Sequence, residues 1–151
     1  MKVPYWVGRA SQPLPSRRGG RDRPRPITAV GVVGPTGIYP RDCLLDTAAD
    51  DTVFPEMIAH KIGVDLTTAP AIRIDLAGRG PVTCRFAPVD LRLSDGIETY
   101  EWTAIVGFAP VPLIFALLGY AGFFEYFDVD FHGATREAFV TPAATFPGRR
   151  I

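Results

Sequence analysis

Glycine and proline interrupt this chain so often, 15 of each among 151 residues, that long helices are disfavoured and many short strands joined by turns are expected. The stretches between the breaks agree. Ala71-Ile72-Arg73-Ile74-Asp75-Leu76 and Val89-Asp90-Leu91-Arg92-Leu93 alternate apolar with charged residues, which sends the two kinds to opposite faces of a strand. Ile27 to Val33 and Ile38 to Leu45 are β-rich and flank the turn Gly34-Pro35-Thr36-Gly37, so they read as a hairpin. Phe127-Asp128-Val129-Asp130-Phe131 alternates again, turns at His132 to Thr135, and pairs with Glu137 to Thr141. An all-β fold follows, in one domain long enough to bury a core without disulfides or metals. Two segments read otherwise. Pro55 to Gly63 predicts a helical turn or two closed by Gly63. The spacing of Leu113, Leu117, Tyr120 and Phe124 predicts one short helix in the second half of that segment.

Sixteen basic and 16 acidic residues leave no net charge, so no global field recruits nucleic acid or an anionic membrane, and neither is expected as a partner. The charge is uneven, however. Arg9, Arg17, Arg18, Arg21, Arg23 and Arg25 crowd the first 25 residues, which end in Arg23-Pro24-Arg25-Pro26. Such a basic, Pro-rich segment can bind an acidic partner or RNA, but a solvated flexible arm is the commoner outcome. Residues 1–25 are therefore expected as an arm, 26–142 as the folded domain, and 143–151 as a loose tail. Ala104 to Phe124 holds no charge and is long enough to span a bilayer. Pro110, Pro112, Gly107, Gly119 and Gly122, with no basic flanks, favour a buried strand, a turn and a short helix instead. The N-terminus lacks the apolar run of a secretory signal, so a cytoplasmic location is expected.

Cys43 and Cys84 form no Cys-x-x-Cys pair and have no histidine at ligand spacing, so they read as reduced core thiols and no metal or cofactor is expected. His60 and His132 stand near no nucleophile motif and read as surface or turn residues.

The chemistry concentrates in Leu44-Leu45-Asp46-Thr47-Ala48-Ala49-Asp50-Asp51-Thr52-Val53, where an apolar pair delivers Asp-Thr into a small-residue turn followed by more acids. The pattern occurs once. One carboxylate cannot be both acid and base in a concerted hydrolysis, so a catalytic Asp46 needs a partner from another chain, and the loop predicts a homodimer.

This segment resembles the active-site stretch of the retropepsin-like (retroviral-type) aspartic proteases, whose pattern is apolar-apolar-Asp-Thr/Ser-Gly-Ala. Leu117-Leu118-Gly119 resembles that family's hydrophobic-hydrophobic-Gly motif, and the turn at Ala77 to Pro81 is placed like its flap. The resemblance covers roughly Ile27 to Phe131. It implies a closed acid-protease β-barrel with one short C-terminal helix, working as a homodimer, and an aspartic endopeptidase in which water is activated between two Asp46 carboxylates that share a proton. The partners implied are a second copy and a peptide in extended conformation. Carried over residue by residue, Asp46 is catalytic, and Thr47 gives a cross-dimer hydroxyl hydrogen bond. Ala49 packs behind the loop, and Asp50 bonds at the interface or the substrate ends; for Asp50 and Asp51 turn capping or solvation is the alternative. Ala77, Gly78, Arg79 and Gly80 form the flap that approaches substrate, and Leu117, Leu118 and Gly119 form the structural motif. Ala48 departs from the pattern by replacing glycine, which narrows the cleft or lowers turnover. A catalytically weak or inactive peptide-binding or dimerisation module is the alternative that this departure leaves open.

Overall fold

A computed structural model of the chain describes residues 1–76 and 79–151. Among the described residues the chain is mostly β, with a single α-helix. In chain order come β1 (Lys2–Pro4), β2 (Trp6–Arg9), β3 (Asp22–Arg25), β4 (Ile27–Gly34), β5 (Gly37–Leu45), β6 (Val53–Pro55), α1 (Glu56–Ile62) and β7 (Ala71–Leu76). They are followed by β8 (Gly80–Ser94), β9 (Thr99–Ala109), β10 (Ala116–Leu118), β11 (Phe127–His132), β12 (Glu137–Pro142) and β13 (Arg149–Arg150). The all-β expectation holds, and each alternating stretch is a strand. The hairpin of β4 and β5 runs in register from Ile27 opposite Leu44 to Gly34 opposite Gly37. Helix α1 buries Ile58, Ala59 and Ile62 and ends at Gly63, whose φ of 75° suits a residue without a side chain.

The main sheet has the order β13-β9-β6-β10-β5-β4-β8-β7 with an additional β8–β9 pairing. Its origin lies in the length of β8, 15 residues. One edge of β8 pairs with β9 from Arg85 to Ser94. The other is shared, β7 taking Gly80 to Arg85 and β4 taking Asp90 to Leu93. The sheet is curled by this double use but leaves β13 and β7 as edge strands, so it is not the fully closed, edgeless barrel that the resemblance implies. A second sheet, β1-β12-β11, packs beside it, and β2 and β3 form a separate two-stranded ribbon.

The expected C-terminal helix is absent from 113–124; the segment holds β10 and then consecutive turns. Gly122 is the physical reason. Its φ of 87° is left-handed, and its N–H goes to the Glu125 carboxylate at 2.7 Å rather than to a helical carbonyl. The carbonyl of Gly122 accepts from Trp102 Nε1–H at 2.9 Å. Trp102 is buried with Phe123 and Phe127, the three rings meeting at centroid separations of 4.9 to 6.2 Å. The apolar spacing that imitates a helix therefore comes from a knot of turns closed over an aromatic core.

Residues 1–25 and 143–151, expected as arm and tail, contribute strands instead. β1 pairs with β12 around a buried Val3, and β13 pairs with β9 while Phe146 packs on Trp102 and Phe127. Ala104 to Phe124 is divided between β9, β10 and turns, and among the described residues no helix is long and apolar enough to cross a membrane.

Candidate active site

Strand β5 carries Leu44 and the buried Leu45 outward to Asp46 at its end. Strand β10 lies parallel beside it, Leu117 opposite Leu44 and Leu118 opposite Leu45, and the Asp46 N–H donates to the Leu118 carbonyl at 3.1 Å. The loop then turns on its own acid. The Ala48 N–H donates to Asp46 Oδ1 at 3.0 Å, and the Ala49 N–H to the Asp46 carbonyl at 3.1 Å. An aspartate that caps the turn it begins has its carboxylate held in one orientation.

The far side of the loop is tied to residues 119–121. Tyr120 and Ala121 N–H groups donate to the carbonyls of Ala49 and Asp50, both at 2.9 Å, and Thr52 N–H donates to the Ala121 carbonyl at 3.0 Å. Thr52 is buried, and its Oγ1 accepts the Gly119 N–H at 3.2 Å. A Cβ on Gly119 would lie 2.3 Å from the Asp51 carbonyl oxygen and 2.8 Å from that of Ala49. Glycine is required there for space, since the backbones touch. The structure thus brings together the Asp46 loop and Leu117-Leu118-Gly119. Thr52 is the participant that sequence reading passed over: it lay inside the quoted stretch, but its signal, a polar residue between acids and a buried Val53, gives no hint of the amide it receives.

Beside the loop opens a cleft of about 340 Å³. Asp46, Asp50 and Asp51 line it from the loop, Arg73 and Asp75 from β7, and Leu76 and Leu117 add apolar surface. Asp46 is half-buried; Thr47, Ala48 and Asp50 are exposed. Burial, and then the neighbouring charge of Asp50, raises the Asp51 carboxyl above the usual carboxylate range. The Cys84 thiol on β8 is buried and pushed up to about 11, by burial and then by Asp51. Ala48 has no positive φ; among the described residues only Arg18 and Arg136 do so without being glycine. Alanine therefore fits the loop without backbone strain, and its methyl lines the cleft.

Of the expected flap, Ala77 and Gly78 lie outside the described residues. Arg79 and Gly80 are exposed. Arg79 N–H donates to the Leu76 carbonyl at 2.9 Å, and Gly80 opens β8 with a φ of 73°. His60 stands 3.8 Å from Glu56 on α1 and His132 packs on Phe139, so neither joins the cleft. Among the described residues no group of three or more metal-ligating side chains is gathered. Compared with known proteins, the chain matches no family model and no curated protein.

Proposed function

We propose that the chain is a retropepsin-like aspartic endopeptidase that works as a homodimer, each subunit giving one Asp46 to a shared site. One observation carries the reading: Gly119 sits against the backbone of the Asp46 loop so closely that no side chain fits between them, which ties two motifs far apart in sequence into one site. Further support comes from the cleft that the Asp46 loop lines and from the exposure of Thr47 and Ala48 on that loop and of Tyr120, whose N–H donates to the Ala49 carbonyl, which leaves surface for a second copy.

The chemistry follows from like charges. Two carboxylates a few ångström apart cannot both ionise, so the pair holds one proton. The ionised member takes a proton from water as the water oxygen attacks the peptide carbonyl carbon, and the protonated member donates to the carbonyl oxygen. Collapse of the tetrahedral species breaks the C–N bond, and a proton passes to the leaving amine. Val53, Leu76 and Leu117 offer apolar side chains to an extended substrate.

Asp46→Asn tests the reading. The variant is expected to lose cleavage of an unfolded protein by at least about 1,000-fold, the order seen when a member of a catalytic unit is removed, while its solution mass and folded signature stay those of the parent. A variant that cuts as fast as the parent removes Asp46 from the chemistry. The Ala48 methyl in the cleft favours a second reading, a peptide-binding module without turnover. Binding of extended peptides with no cleavage between pH 4 and pH 8 supports the module.

A further inference from the structure

The arginines near the start of the chain sit on a built surface. Residues 1–25 hold seven of the 16 basic residues and one of the 16 acidic ones, so this end carries a charge of about +6 and the remainder about −6. Strands β2 and β3 place the charge on an antiparallel ribbon, Trp6 opposite Arg25, Gly8 opposite Arg23, and Arg9 opposite Asp22. Bonding continues past the strands, with Ala10 N–H donating to the Arg21 carbonyl at 2.8 Å and Leu14 N–H to that of Gly20 at 3.0 Å. Arg17 and Arg18 stand at the tip. The ribbon is fixed to the body at its base: the Trp6 ring meets Phe115 edge-on at 5.6 Å, and the Arg25 guanidinium lies 5.9 Å from the centre of the Phe115 ring. The single acid, Asp22, pairs with Arg136 at 3.5 Å, which adds a seventh guanidinium. Arg9, Arg17, Arg18, Arg21 and Arg23 are exposed, and among the described residues none forms an ion pair.

We infer that the β2–β3 ribbon binds nucleic acid by gripping its phosphate backbone. Five exposed guanidiniums without counter-charges repel one another, and a polyanion relieves that repulsion while releasing its own condensed ions. All six basic residues on the ribbon are arginine, whose planar fork matches phosphate in a bidentate way. Shape separates the possible polyanions. A two-stranded ribbon has the cross-section that the major groove of a DNA duplex admits. An acidic protein would need an apolar anchor at the centre of its interface, but the exposed apolar groups here, Trp6 and Val7, lie at the base of the ribbon, away from Arg17 and Arg18 at its tip. An anionic membrane would need an inserted apolar face, and the strands offer only Trp6, Val7 and Pro24. The net negative charge of residues 26–151 favours contact at the ribbon over contact elsewhere. This surface is separate from the Asp46 cleft, and its assignment does not depend on proteolysis.

The test is fluorescence anisotropy of the full chain with a labelled 20-base-pair duplex, across sodium chloride from about 50 to 200 mM, repeated with Arg17→Gln/Arg18→Gln and Arg21→Gln/Arg23→Gln double variants. With five phosphates neutralised, log K is expected to fall against log salt with a slope of about −4 to −5. Each double variant is expected to weaken binding at least about tenfold and to make the slope shallower by about 2. Arg85→Gln, on the body, is expected to change neither, and circular dichroism checks that every variant keeps its strands. No saturable binding at 50 mM salt overturns the inference, as does binding that both double variants retain in full. Displacement of the duplex by an equal charge concentration of polyglutamate, as effectively as by unlabelled duplex, also overturns it, because the surface would then accept any acidic chain.

Discussion

Gly119 and Ala48 show how much depends on a single methyl group. A methyl at 119 would meet the Asp51 and Ala49 carbonyl oxygens inside ordinary contact distance, and neither oxygen is the free end of a flexible side chain. Gly119→Ala is therefore expected to destabilise the chain by about 3 kcal/mol, the upper range for overpacking, read as a lower urea midpoint, and to abolish any cleavage at temperatures where the variant remains folded. Ala48 is the reverse case. Its methyl lines the cleft and the backbone there is unstrained, so Ala48→Gly is expected to cost about 0.5–1 kcal/mol through the unfolded chain while raising kcat/KM several-fold on extended peptides. An unchanged kcat/KM would show that the methyl does not obstruct substrate. Asp46 and Gly119 were legible in the sequence because each lies within a short motif. Thr52 was not, since its burial depends on accepting an N–H from a residue 67 positions away, and no local pattern announces that.

At the scale of elements, ion pairs hold both ends of the chain, Met1 to Glu98 and Arg149 to Glu101. Strand β13 is anchored by charge: Glu101 accepts from Arg92 Nη2 at 2.6 Å and from Arg149 Nη2 at 3.0 Å. Hydrogen bonds first from Arg92 and then from Arg149 hold its carboxyl below the ordinary value of 4.5. A depressed folded pKa gives stability that is full above 4.5 and is lost as pH falls through the folded value. Glu101→Gln is expected to lower Tm near neutral pH, with the gap to the parent closing as pH is taken below 4.5; a gap that stays constant would show that packing, not charge, is lost. The strands with strict alternation were readable because each buries one face. Strands β1 and β2 were not, because β1 has a single buried apolar residue and β2 carries its exposed charge in a pattern shared with solvated arms. The apolar spacing of 113–124 misled for a different reason: buried side chains gather around Trp102 from turns as readily as from a helix, and only the left-handed Gly122 distinguishes them.

For the whole molecule, burial of both thiols gives a probe of opening. Cys43 and Cys84 are fully buried and unpaired, and burial raises both, Cys84 to about 11. At pH 8 the native chain is expected to react with a disulfide reagent at least about 100-fold more slowly than the denatured chain, which should titrate two thiols. Fast reaction of one thiol in native conditions would locate a local opening, at the cleft side if Cys84 reacts and at β5 if Cys43 does. The parallel seat of β10 beside β5 also orders events during synthesis. The Asp46 loop leaves the ribosome about 70 residues before Leu117 to Gly119 arrive to hold it, and contacts that distant form late. A translation product that stops short of Gly119 would carry Asp46 without the cleft around it.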